Sequence, residues 1–91
     1  MSLNSREVII CNARGLHARA AAKFIAIVND HDARVQVSRD GESVDASSIM
    51  DLLMLAAGQG SQITISTEGP DADSVLAALV KLVENRFDEG E

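Results

Sequence analysis

The order of patterns along this chain predicts an α+β open-faced sandwich, a four-stranded antiparallel sheet with three helices on one face (βαββαβα). Three observations carry the prediction. Strand-like segments alternate apolar with polar residues, as a sheet requires when one face is covered and the other is wet. Helical patterns fall between and after these segments, so each has a sheet face to cover. Asp40-Gly41 joins two of the strand patterns, and that pair accepts the positive φ of a tight hairpin turn. The 91 residues read as one domain, 1–91, without internal repeats or low-complexity stretches.

Each element has its own justification. Arg6 to Cys11 is rich in Val and Ile and reads as the first strand. Ala18 to about Asn29 reads as a helix, with Ala21, Phe24, Ile25 and Val28 at i, i+3, i+4 and i+7. Asn29 to Asp32 is a polar turn in which His31 is expected to be merely solvated. Ala33, Val35 and Val37 alternate with Arg34, Gln36 and Ser38 in a second strand, and Glu42 to Asp45 forms a short third.

A second helix is expected from Ser48 to about Ala56. There Ser48-Ile49-Met50-Asp51 fits a capping box. Gln62 to Thr67 alternates Ile63 and Ile65 with polar residues as the fourth strand, which Gly69-Pro70 ends. Asp71 and Asp73 lead a last helix, where negative charge suits the N-terminal dipole. Leu76, Leu79, Val80, Val83 and Phe87 form its apolar stripe, and an acidic tail follows at about 88–91.

Composition narrows the function classes. The net charge of −6 argues against a nucleic-acid partner. No apolar stretch approaches the ~18 residues of a membrane span, and no signal-peptide pattern opens the chain, so no membrane insertion is expected. Cys11 is the only cysteine, expected to be a small buried hydrophobe. It leaves no intrachain disulfide and little basis for a metal site, and the expected compartment is cytoplasmic. Charge is unevenly spread, because Val8 through Asn29 contains no Asp or Glu but does contain Arg14, Arg19 and Lys23.

His17 lies inside that acid-free window, in Arg14-Gly15-Leu16-His17-Ala18-Arg19. It falls where the first strand pattern gives way, across a Gly-containing turn, to the first helix. A helix start presents free N–H groups with partial positive charge and is a ready site for phosphate. An imidazole there can take a phosphoryl group and hold it covalently. The second helix adds another signal. Leu52, Leu55 and Ala56 share a face toward the core, whereas Ile49, Met50, Leu53, Met54 and Ala57 point away from it. Such a face suits partner docking, and methionine makes it adaptable.

Together these residues resemble the HPr family, the histidine-containing phosphocarriers of the bacterial phosphoenolpyruvate-dependent phosphotransferase system. The resemblance runs from Val8 to about Val83 and rests on Gly15-Leu16-His17-Ala18-Arg19 and Ser47-Ser48-Ile49-Met50 at the family's separation. It implies that His17 accepts a phosphoryl group on Nδ1 from Enzyme I and passes it to an EIIA-type acceptor. On the same resemblance, the backbone amides of Ala18 and Arg19 hold the phosphate and the Arg19 guanidinium neutralises charge in transfer. Ser48 matches the regulatory serine of HPr kinase/phosphorylase, and Ile49, Met50, Leu53 and Met54 match the partner-binding patch.

The resemblance further implies a monomer without a cofactor, a covalently modified carrier rather than a turnover catalyst. One departure stands out: the family motif usually continues with Pro, and this chain has Ala20. That resembles the variant in systems tied to nitrogen-type or other regulation, so sugar uptake and regulation both stay open. A different class stays open as well, a regulatory binding module that works through Ser48 phosphorylation or anion binding at the first helix, without onward transfer.

Overall fold

A computed structural model describes residues 3–55 and 57–88. Its elements are β1 (Leu3–Ile9), α1 (Ala18–Asn29), β2 (Arg34–Arg39), β3 (Glu42–Asp45), α2 (Ile49–Met54), β4 (Gln62–Glu68) and α3 (Ala72–Glu84), followed by a 3₁₀ turn at Arg86–Asp88. All strand pairs are antiparallel, in the order β1-β4-β2-β3. The expected open-faced sandwich is the observed fold.

β4 is the last strand in sequence but lies inside the sheet, between β1 and β2. Its alternation explains the choice: Ile63, Ile65 and Thr67 are buried while their neighbours are not. The register then sorts the faces. Val8 lies opposite Ile63, and Ile65 opposite Val37, which in turn faces Val44. On the other face, Glu7, Thr64, Ser38 and Ser43 form one polar row across the sheet, and Ser5, Ser66, Gln36 and Asp45 form the next. The apolar rows meet Phe24, Val28, Leu52, Val75, Leu79 and Val83 from the helices, which close the core from that side.

The hairpin between β2 and β3 is a two-residue turn, with φ of 52° at Asp40 and 86° at Gly41. Positive φ at both positions is the backbone twist that matches flanking strands. Other boundaries moved. β1 ends at Ile9, two residues before its expected end, yet Ile10 still bonds across to Ser61 and Gly60 at 2.9 and 2.7 Å. The second helix stops at Met54 with Leu55 as its C-cap, and Ala56 lies outside the described residues. Arg39 reaches over from β2 to donate to the Leu55 carbonyl at 3.0 Å, satisfying an acceptor the short helix leaves open.

Several side chains correct the sequence reading. Phe87 is buried but not helical, because α3 ends at Glu84 and Arg86, Phe87 and Asp88 all have positive φ (58°, 53° and 64°). The left-handed turn swings the ring into the core, and Lys23 on α1 donates to the Phe87 carbonyl at 2.8 Å. Of the expected tail, residues 89–91 lie outside the described residues. His31 is half-buried with Nδ1 2.7 Å from the Ile27 carbonyl, so it closes the last turn of α1 instead of standing in water. Asp71 is the N-cap residue of α3, but its carboxylate accepts from Asp32 N–H at 2.6 Å, while Asp73 supplies the negative charge of the first turn. Cys11 is half-buried and donates to the Val83 carbonyl at 3.3 Å.

Candidate functional site

The segment between β1 and α1 is built around a turn. The Asn12 carbonyl accepts from Gly15 N–H at 3.2 Å, and Asn12 Nδ2 donates to the Gly15 carbonyl at 2.8 Å. His17 N–H also reaches that Gly15 carbonyl, at 3.0 Å. Gly15 is required here for two reasons. Its φ is +67°, and an added Cβ would come within 2.6 Å of the Ala57 carbonyl oxygen and 2.7 Å of Gly58 Cα. Leu16 N–H donates to that same Ala57 carbonyl at 2.9 Å. The loop before α1 is therefore seated, backbone on backbone, against the loop that follows α2.

His17 is the N-cap of α1, with extended backbone (φ −85°, ψ 179°) and a half-buried side chain. Its carbonyl accepts the first helical bond, from Ala21 N–H at 2.8 Å. Its Nδ1 accepts from Arg19 N–H at 3.2 Å. A ring nitrogen that accepts carries a lone pair, so the proton of the neutral ring sits on Nε2. The imidazole thus turns its basic nitrogen toward the positive end of the helix. No carboxylate occupies the first turn of α1, in contrast to α2 and α3 with Asp51 and Asp73. A lone pair, a free-amide terminus and no competing acid form a place where phosphorus can be attacked and a phosphoryl group held.

Ala18 and Arg19 are exposed at the first turn, so their side chains leave the approach open. Arg14 is exposed as well. Lys23, expected beside His17, instead directs its ammonium to the Phe87 carbonyl. The cationic window therefore narrows to its two arginines.

Ser48 caps α2, its Oγ accepting from Asp51 N–H at 3.3 Å. Ile49, Met50 and Met54 are 40%, 66% and 71% exposed and form an apolar surface on α2. Leu53 departs from the expectation, being half-buried against the core. Ala57 departs further and is buried, because the seam with Gly15 and Leu16 covers it. α1 and α2 pack together, so the histidine and the apolar surface belong to neighbouring helices. Sequence reasoning missed Asn12, and it placed Ala57 on the outward face without seeing the contact its carbonyl makes. The signal for Asn12 was its place directly after an apolar strand and three residues before a glycine, a turn spacing. Nothing local marks Ala57, since its role belongs to its backbone carbonyl.

Residues 4–85 match the family model described as "PTS HPr component phosphorylation site". The phosphocarrier protein HPr of Pseudomonas aeruginosa is 52% identical over 93% of this chain and 96% of its own length. The phosphocarrier protein NPr of Shewanella violacea is 42% identical over 98% of both chains. Among solved structures, the HPr of Thermoanaerobacter tengcongensis superposes with a TM-score of 0.90 at 36% identity, covering 94% of this chain and 97% of that one. An HPr dimer from the same organism matches with a TM-score of 0.74 at 38% identity, over 88% and 92% of the two chains.

Proposed function

The chain belongs to the HPr family of phosphotransferase-system phosphocarriers, and on that premise we propose that His17 takes a phosphoryl group from phosphorylated Enzyme I and hands it to an EIIA-type acceptor. The observation that carries this reading is the Nδ1 of His17 accepting from Arg19 N–H at the start of α1. In the proposed step, Arg19 N–H lets go of Nδ1, and the lone pair so released attacks phosphorus. The Nδ1–P bond forms as the donor's bond to phosphorus breaks, and the donor leaves with that electron pair. The amides of Ala18 and Arg19 then donate to phosphoryl oxygens, and the Arg19 guanidinium neutralises charge as the group arrives and departs. The second transfer reverses these roles, so the chain ends unchanged, a carrier and not a turnover catalyst.

Ile49, Met50, Leu53 and Met54 serve as the partner-binding surface in this reading, with the three exposed side chains making the wider contact. Ser48 is the regulatory site. A phosphate there would meet the positive end of α2, which favours it locally, but would add about two negative charges beside an apolar docking surface. HPr kinase/phosphorylase is the proposed modifier, and the modified chain takes phosphate more slowly from Enzyme I. We propose a single domain acting as a monomer in the cytoplasm; among the described residues, no helix is long and apolar enough to cross a membrane.

The deciding experiment is incubation with phosphoenolpyruvate and Enzyme I. One phosphate per chain is expected, stable in base and labile in acid, and absent in His17→Ala. Labelling retained in that variant would move the acceptor off His17, and no labelling of the unmodified chain would overturn the carrier reading in favour of anion binding at α1 without transfer. Ala20 and the similarity to an NPr favour nitrogen-type regulation, and the similarity to HPr proteins favours sugar uptake. Offering the phosphorylated chain to a sugar-type and a nitrogen-type EIIA in parallel separates the two by rate.

A further inference from the structure

We propose that Asn12 is a positioning residue for phosphoryl transfer, acting on His17 through the Gly15 carbonyl; this rests on His17 being the acceptor, as proposed above. Asn12 lies five residues before the histidine and its side chain is fully buried, an unusual place for an amide. Burial of such a group is costly unless its hydrogen bonds are made, so it is retained where the bond does something apolar packing does not.

The geometry states what that is. Asn12 holds Gly15 at both ends, its carbonyl accepting from Gly15 N–H at 3.2 Å and its Nδ2 donating to the Gly15 carbonyl at 2.8 Å. The Gly15 carbonyl in turn receives His17 N–H at 3.0 Å. One oxygen therefore joins the Asn12 side chain to the backbone of the N-cap residue. A carbonyl has two lone-pair directions, and with one taken by Nδ2 the other is aimed at His17.

Glycine is the residue that most needs such a brace. Its φ of +67° is one of several conformations open to a residue without Cβ, so the 15–16 peptide would otherwise turn with little resistance. Rotation of that peptide swings the Gly15 carbonyl away from His17 N–H. His17 then loses the extended conformation that brings Nδ1 to Arg19 N–H at 3.2 Å. Leu16 N–H on the Ala57 carbonyl fixes the far side of the same peptide, so Asn12 and Ala57 hold it from opposite ends. Asn12 makes no contact with the phosphoryl group in this scheme. It sets the direction from which Nδ1 meets phosphorus, and misplacement of a reacting atom by ~1 Å can cost ~100-fold in rate.

The test compares the intact protein with Asn12→Ala and Asn12→Ser, each assayed well below its own thermal midpoint. The rate of phosphoryl uptake from phosphorylated Enzyme I is read as kcat and KM, and the Arg19 amide and His17 ring nitrogens are followed by ¹H–¹⁵N NMR. In Asn12→Ala we expect kcat to fall by about 10- to 100-fold at unchanged KM. The docking surface on α2 is untouched by the substitution. The Arg19 amide resonance should move as its bond to Nδ1 loosens. Asn12→Ser, which keeps a shorter hydroxyl donor, should lose less and covers the case in which the alanine variant fails to fold. An unchanged kcat in either folded variant overturns the inference. So does a change confined to KM, which would make Asn12 a docking residue. Failure of the carrier reading itself looks different, because the unmodified chain would then take no phosphate on His17.

Discussion

Between Asn12 and His17 the backbone is pinned at Gly15, Leu16 and His17, whereas along α2 three large apolar side chains stand in water. The two regions sit on neighbouring helices and meet different demands. A lone pair that must point one way needs fixed neighbours, and the loop supplies them through a buried amide and a backbone seam. A surface that suits more than one partner, the role proposed for α2, gains from side chains that can re-pack, and two of the three exposed there are methionines. On the proposed function, the difference teaches that order in this chain is concentrated where phosphoryl transfer takes place and relaxed where partners dock.

The comparison breaks most visibly at the histidine. His17→Ala is expected to abolish phosphoryl acceptance while costing only a helix cap, about 0.5–2 kcal/mol by urea denaturation. A larger loss would mean that the pinned loop depends on the imidazole. Next comes Gly15→Ala, which places a Cβ against the Ala57 carbonyl at positive φ and should destabilise by at least about 1–3 kcal/mol. A near-neutral urea midpoint would show the seam to be loose, and the contrast with α2 would fail.

On the α2 side, two substitutions sharpen it. Leu53→Glu puts a charge where the side chain is half-buried and should cost about 1–3 kcal/mol. Met54→Glu should stay within about 0.5 kcal/mol of the parent and act on the KM for Enzyme I instead. Equal stability losses at both positions would remove the distinction between core-packed and exposed side chains on this helix. Ser48→Ala should cost about 1 kcal/mol, since its Oγ caps α2, read as a lowered urea midpoint. The one expected gain is at Ala20→Pro in the first turn of α1, about 0.4–1 kcal/mol through lost freedom of the unfolded chain. Ala20 is fully buried, so a fall in midpoint would show that the ring finds no room.

Elements whose identity is set by local chemistry were legible in the sequence. α1 runs from Ala18 to Asn29, β3 from Glu42 to Asp45, and the Asp40-Gly41 turn has both residues at positive φ, all as the residues suggest. His17 falls at the N-cap for the same reason: a turn glycine followed by an alanine-rich run leaves a helix one place to begin. What was not legible depends on distant partners. Ala57 is apolar and lies just past a short helix, so its spacing points outward, yet a loop from the other end of the chain covers it. Phe87 keeps helical spacing from Val83, but the chain leaves the helix at Glu84 to bury the ring another way. Leu53 fails in a milder form, because a helix of six residues packs too little of itself for a face to be read cleanly. The amide of Asn12 carries no periodic signal, only a position.

The seam between Leu16 and Ala57 also fixes when the site can come into being. The two residues belong to loops far apart in sequence, so this contact has to wait for a large closure of the chain, which is slow relative to forming α1 on its own. During synthesis, the stretch carrying His17 is made well before its counterpart. A chain halted short of residue 57 possesses the histidine, the arginine and the helix-forming run, but nothing for Leu16 to hold. If His17 is the acceptor as proposed, competence for phosphorylation is then a certificate of maturity, issued only when both halves of the polypeptide have found each other.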